Sequence, residues 1–73
     1  MSTSIDFSST TLANALYDSS HQELELDFRD GSRYVYSGVS PDLFQGLLVA
    51  PSKGRFFNER LRGRLPFRRL HET

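Results

Sequence analysis

A chain of seventy-three residues buries only a modest core and leaves little room for an enclosed catalytic cleft. Hydrophobic residues at 37% and charged residues at 25% exclude wholesale disorder, and the absence of cysteine excludes a disulfide framework or a thiolate metal site. The formal net charge of zero is a cancellation, because residues 1–52 carry two basic and seven acidic side chains whereas residues 53–73 carry seven basic and two acidic ones.

The first ten residues lack the basic start and apolar stretch of a signal peptide, and no segment nears the roughly 20 apolar residues of a membrane span. Residues 1–10 are therefore read as a disordered tail, and the protein as cytoplasmic with no membrane partner. Thr11 to Tyr17 is a first strand, although its alanines count against it, and Asp18-Ser-Ser-His21 supplies the turn chemistry after it. Glu23-Leu-Glu-Leu-Asp-Phe-Arg29 alternates charged and apolar residues strictly, the period-two mark of a half-buried strand with Leu24, Leu26 and Phe28 inward.

Asp30-Gly31 marks a hairpin, and Arg33-Tyr-Val-Tyr-Ser37 is its return strand. A two-residue loop puts Val35 beside Leu26 and turns Tyr34 and Tyr36 toward the acidic face. One extra loop residue, with a bulge near Gly31, pairs Tyr34 with Phe28 and Tyr36 with Leu26. The bulged form is favoured because it keeps both tyrosine rings on the packed face and sends Arg33 and Ser37 to water.

Ser40-Pro41-Asp42 starts a helix, with serine as N-cap, proline at the first helical position and a carboxylate near the positive end of the dipole. Leu43, Phe44, Leu47 and Leu48 recur at helical spacing until Pro51, which predicts a helix over 41–49. Ser52 caps a second helix through Arg62, stopped by Gly63, with Pro66 barring continuation. At about 100° per residue Phe57 and Leu61 share a face with Phe56 beside them. Arg55 and Arg62 lie opposite, bracketing Glu59, and Lys53 and Arg60 flank the aromatics. Arg64 to Leu70 is extended, with Leu65, Phe67 and Leu70 as anchors, and residues 71–73 form a frayed end. The expected fold is α+β: a single domain over 11–70 in which a three-stranded antiparallel meander is followed by two short helices packed on it, β-β-β-α-α.

Tyr34-Val-Tyr36 in a central strand, then Pro51-Ser-Lys-Gly-Arg-Phe-Phe-Asn58, then Arg62-Gly-Arg-Leu-Pro-Phe-Arg-Arg-Leu70 resemble the KTSC domain. That module is named for the C-terminus of some lysyl-tRNA synthetases, and it also occurs alone in small bacterial proteins. The resemblance runs from about Thr11 to Leu70. It implies RNA binding through the synthetase context. Family members commonly carry aromatics on both sides of the proline, where this chain has Leu65 and Phe67.

The basic segment is the first candidate site. A ligand feels the local field within about one Debye length, roughly 8 to 10 Å at ordinary salt, so the charge split matters more than the sum. Lys53, Arg55, Arg60, Arg62, Arg64, Arg68 and Arg69 are candidates for phosphate contact, and Phe56, Phe67, Tyr34 and Tyr36 for stacking on bases. The plainer alternative has the arginines solvating a helix and pairing with the acidic strand face. Phe56, Phe57 and Phe67 are then core, the reading preferred for so small a chain, and Tyr34 and Tyr36 are buried under a helix.

Ser52-Lys53-Gly54 at a helix start has the makings of a phosphate cradle, although a serine cap with an exposed lysine is the simpler reading. Catalysis has no constellation. His21 falls in a turn and His71 in the frayed end, and Glu23, Glu25 and Asp27 share a solvated strand face. The expected function is thus non-enzymatic, without cofactor, metal or small-molecule substrate: weak, sequence-independent binding of RNA or another nucleic acid through the basic helix and tail. The rival is a protein-interaction or self-association module using opposed acidic and basic faces. Helical geometry points Lys53 and Arg60 nearly opposite to Arg55 and Arg62, which leaves convergence of the seven on one face open and makes Arg55 and Arg62 on the helix, with Arg64, Arg68 or Arg69 beyond it, the better candidates for contact.

Overall fold

The computed structural model describes residues 2–70. In chain order it contains β1 (Ser2–Asp6), β2 (Leu12–Asp18), β3 (Glu23–Phe28), β4 (Arg33–Tyr36), α1 (Pro41–Val49), α2 (Lys53–Arg60) and β5 (Phe67–Leu70). The strands form one sheet of order β1-β2-β3-β4-β5, each antiparallel to the next. The α+β class and the meander of β2 to β4 are as expected, but the sheet has five strands in place of three, and the helices lie between its fourth and fifth strands.

Both additional strands are edges built by tertiary contacts. Ser2–Asp6, expected as a disordered tail, pairs with β2 from Ser2↔Asp18 to Asp6↔Asn14. The residues immediately after β1 anchor it. Phe7 is buried, its N–H donates to the Ala13 carbonyl (2.9 Å), and Arg29 donates to the carbonyls of Phe7 (2.7 Å) and Ser9 (3.0 Å). At the other edge Phe67–Leu70 is extended, as expected, and pairs with β4 from Tyr36↔Phe67 to Arg33↔Leu70. The frayed end expected at 71–73 lies outside the described residues.

The hairpin between β3 and β4 takes a bulged form, shifted from the expected register. Gly31 N–H donates to Phe28 O (3.0 Å), Phe28 N–H donates to Ser32 O (2.9 Å), and Gly31 has φ 92°. The loop is thus Arg29-Asp30-Gly31, with glycine in the left-handed conformation that closes a three-residue hairpin. Because it begins one residue earlier than expected, Tyr34 opposes Leu26 and Tyr36 opposes Leu24. A two-residue slip preserves parity, so both tyrosines keep the inner face.

A second irregularity serves the core. Leu12 pairs with Phe28 but Asn14 with Asp27, so Ala13 is an extra residue in β2. Leu12 and Ala15 both become fully buried despite their odd spacing.

The inner face packs on the helices. Ala15, Tyr17, Leu24, Leu26 and Tyr36 meet Phe44 and Leu47 of α1, Phe57 of α2 and Leu61 just after it. Burying each leucine contributes about 1.5 to 3 kcal/mol. Tyr17 stacks on Phe44 with centroids 4.3 Å apart and donates its hydroxyl to Val39 O (2.6 Å), so its polar tip is satisfied inside. Helix α1 has the expected bounds, with Ser40 Oγ accepting from Leu43 N–H (3.1 Å) and Pro41 in the first turn. Helix α2 is capped by Ser52 Oγ on Arg55 N–H (3.3 Å) and ends at Arg60, short of the expected Arg62. The chain tightens there, Leu61 and Arg62 both donating to Phe57 O.

Gly54 lies against Thr11 at the entry to β2, where a Cβ would fall 2.8 Å from Thr11 Oγ1 and 3.1 Å from Thr11 Cβ. The glycine therefore serves close packing of α2. Gly54→Ala is expected to lower stability by about 1 to 3 kcal/mol, outweighing the gain in helix propensity of at most about 1 kcal/mol. Urea unfolding measures it, and an equally stable or stabilised variant would contradict the packing argument.

Candidate nucleic-acid interface

Strand parity places Tyr34, Tyr36, Phe67 and Arg69 on the helix-bearing face of the sheet, in the pairs Tyr36↔Phe67 and Tyr34↔Arg69. Helix α2 reaches far enough to bury Tyr36 but leaves Tyr34 half-buried and Phe67 57% exposed. Phe67 was expected in the core. It is exposed because β5 is an edge strand beyond the reach of the helices.

Five rings form one connected series. Phe67 stacks on Tyr36 (5.4 Å between centroids) and meets Tyr34 edge-on (5.7 Å). Phe28 meets Tyr34 (5.6 Å) and Phe57 (5.1 Å), and Phe57 meets Tyr36 (5.5 Å). These rings line an open groove of about 580 Å³ whose rim carries Arg62, Gly63, Asp30 and Ser32. The Arg69 guanidinium lies 5.8 Å from the Tyr34 ring centroid, within cation–π range.

The other five basic candidates lie elsewhere and are engaged by the fold. Lys53 donates its ammonium to the carbonyls of Leu48 (2.9 Å) and Ala50 (2.5 Å), closing the C-terminal end of α1. Arg55 pairs with Glu59 (3.2 Å), and Arg60 lies over the Phe56 ring (5.5 Å). Arg64 donates to Glu59 O (2.8 Å), satisfying a terminal carbonyl of α2. Arg68 points to the outer face and meets Glu23 at 3.5 Å, as Arg33 there meets Asp27 at 3.0 Å. Among the described residues only Arg62 and Arg69 of the seven have neither a carboxylate nor a carbonyl hydrogen-bonded to the guanidinium while adjoining the groove. The predicted set therefore divides: Tyr34, Tyr36, Arg62 and Arg69 come together, and Lys53, Arg55, Arg60, Arg64 and Arg68 do not.

Five groove residues, Phe28, Asp30, Ser32, Phe57 and Gly63, were not singled out from sequence as site residues. Phe28 and Phe57 read as core, which they also serve, and Asp30 read as a turn residue. The detectable signal was parity, since Phe28 shares the face of Tyr34 and Tyr36. Leu65, on the near side of Pro66, packs against the core, so no exposed aromatic is missing there. The Ser52-Lys53-Gly54 segment is occupied by its own cap, by the lysine bonds to α1 and by Thr11.

Electrostatics distinguish the groove from the outer face. Hydrogen bonds from the Ser32 hydroxyl and N–H hold the Asp30 carboxyl below the usual range, with Arg69 contributing. Burial raises the Tyr36 phenol above its ordinary value; the Tyr34 hydroxyl adds to this and Arg62 opposes it. Among the described residues no group of His, Asp and Glu is arranged to hold a metal, and no helix is long and apolar enough to cross a membrane.

The architecture is that of a small α+β module with two helices on one sheet face and an uncovered aromatic edge. The chain belongs to the KTSC domain family, which it matches over residues 8–65. The crystal structure of a KTSC domain protein from Yersinia pestis superposes with a TM-score of 0.91 at 31% identity, covering 97% of this chain and 100% of that one. An uncharacterized protein of Stutzerimonas stutzeri is 43% identical over 51 residues, 70% of this chain and 72% of the relative. A lysine–tRNA ligase of Nostoc punctiforme is 39% identical over 54 residues, 74% of this chain but only 10% of that enzyme.

Tyr17 is raised like Tyr36, by burial first and by the Asp18 charge second. Groups whose pKa is higher in the folded state stabilise it fully below the unfolded value, about 10, and cease to do so as pH rises through the folded values. Absorbance titration should therefore show late phenolate formation accompanied by loss of near-ultraviolet dichroism. Tyr17→Phe should move the alkaline transition upward while costing about 1 to 3 kcal/mol at neutral pH through the unpaired Val39 carbonyl. An unmoved alkaline transition would show that Tyr17 plays no part in it.

Proposed function

We propose that this domain is a non-enzymatic module that binds single-stranded RNA weakly, bases stacking on Phe67 and Tyr34 and phosphates meeting Arg62 and Arg69. The observation that carries the reading is the exposure of Phe67, 57% accessible on a chain with little apolar area to spare, inside a groove lined by Arg62 and with Arg69 against the ring of Tyr34. Aromatic stacking accepts every base because each has a π-face, so affinity is largely independent of sequence. The partial match to a lysine–tRNA ligase supports RNA over other polyanions, since it places a related domain within a protein that works on tRNA.

Two arginines at the groove predict a weaker salt dependence than seven cations would give. With about 0.7 per phosphate on single strands, the slope of log K against log salt is expected near −1 to −2. Phe67→Ala should weaken binding of a labelled uridine octamer by about 1 to 3 kcal/mol and leave the fold intact. Arg62→Ala and Arg69→Ala should each reduce the slope by about 0.7. Absence of binding at low salt, or binding indifferent to Phe67 but abolished by Arg55→Ala, would sink the reading.

A second reading rests on the separation of charge. The acidic Glu23, Glu25 and Asp27 lie on the outer sheet face, while Arg55 and Arg60 are exposed on the helix side. Copies stacked head to tail would bring the two together. The acidic face is already partly neutralised by Arg33 and Arg68, which favours the first reading. Light scattering that shows salt-sensitive assembly, without affinity for RNA, would reverse the order.

A further inference from the structure

A carboxylate at the rim of a groove for a polyanion needs a physical reason, because it repels phosphate. Asp30 lines the groove beside Phe28, Tyr34 and Phe67 and is exposed. Its position is fixed. Asp30 Oδ1 accepts from Ser32 N–H (2.9 Å) and from the Ser32 hydroxyl (2.6 Å), which uses both lone pairs of that oxygen. Oδ2 takes neither of the Ser32 bonds, the Asp30 main-chain N–H adds to the lowering of the carboxyl, and the group is ionised at neutral pH, so an acceptor-only group is presented beside the rings.

An ionised carboxylate selects among bases by what lies along their pairing edges. Guanine presents two adjacent donors, N1–H and the N2 amino group. Adenine and cytosine each set one amino group beside a ring-nitrogen acceptor, and uracil flanks its single N–H with two carbonyls. Guanine alone offers Oδ2 two donors side by side with no acceptor between them, whereas cytosine can offer only one, the amino hydrogen on its C5 side. In single strands this edge is free to be read; a carboxylate can accept from the lone amino group of cytosine, so it is the second donor that sets guanine apart.

We propose that Asp30 gives the groove a preference for guanine at the one position where a base stacked on the Tyr34–Phe67 surface reaches the carboxylate. The inference rests on the RNA-binding reading and deepens it: the remainder of the strand is held without regard to sequence, and Asp30 determines one base. Ser32 is the positioning residue, since its two hydrogen bonds hold the carboxylate through Oδ1 and leave Oδ2 out of that pairing. The neighbouring Arg69 stabilises that charge without a hydrogen bond to it among the described residues.

The test is fluorescence anisotropy at low salt with four labelled uridine octamers: one unmodified, and three carrying a single central guanine, adenine or cytosine. The guanine octamer is expected to bind roughly tenfold or more tightly than the other three, the scale of one well-made base contact. Replacing the guanine with inosine, which lacks the N2 amino group, should lose part of that margin. Asp30→Asn keeps an oxygen for Ser32 and so preserves the turn, as a circular dichroism spectrum should verify. It should erase the guanine margin while binding the all-uridine octamer at least as well as the parent. Equal affinity for all four octamers overturns the guanine preference and leaves the RNA-binding reading standing. A guanine margin that survives Asp30→Asn overturns the role of Asp30. Failure to bind any octamer overturns both.

Discussion

The hairpin turn at Arg29-Asp30-Gly31 sets the parity on which the rest of the molecule depends. With Gly31 at φ 92° the loop holds three residues, and Tyr34 and Tyr36 face the helices opposite Leu26 and Leu24. A loop of two residues would invert β4, turn Val35 inward and expose both tyrosines on the acidic face. The consequences extend along the chain. Phe57 of α2 packs against Tyr36, Phe67 of β5 stacks on Tyr36, and Arg69 reaches the ring of Tyr34 only because β4 presents this side. The same turn carries Asp30 and the Ser32 bonds that fix it, so one local device positions both the packing surface and the rim of the groove.

Charge in the last third of the chain does mostly structural work. Lys53 and Arg64 satisfy carbonyls at the C-terminal ends of α1 and α2, where a cation also complements the helix dipole. Arg55 with Glu59 is an exposed pair at i,i+4 spacing, worth only about 0.3 to 0.5 kcal/mol. Arg68 crosses to the outer face because its position in β5 has the parity of Val35. A dense run of basic residues is thus divided among caps, a surface pair, both sheet faces and the groove, and the field it makes is more diffuse than a count of charges implies.

How much of this was legible in the sequence varies with the range of the forces involved. Helix α1 was readable to its bounds because Ser40, Pro41 and Pro51 act locally, and β3 because six alternating residues define two faces. Strand β1 was not. Ser-Thr-Ser-Ile-Asp offers one apolar side chain, and the segment is ordered by the main chain of β2 and by Arg29, more than twenty residues away in sequence. Strand β5 was legible as extended but not as paired, because arginine-rich edge strands carry little periodic signal. At the groove, the aromatic and cationic residues were recognisable as types. Which arginines remain there depends on carbonyl and carboxylate partners that only the folded chain brings near.

The exposure of Phe67 stems from the same economy of size. A domain this small has two short helices, and covering the inner faces of five strands exceeds their reach, so one end of the sheet remains open. An edge strand with only polar inner side chains would leave Tyr36 facing solvent, since Phe67 is its direct cross-strand neighbour. Phe67 therefore shields the buried ring while remaining exposed itself. Its inner surface stacks on the Tyr36 ring, and its outer surface extends the aromatic floor of the groove. A residue in that position contributes to stability through one face and leaves the other accessible, which is how a chain with almost no spare apolar area keeps an open aromatic surface beside its core.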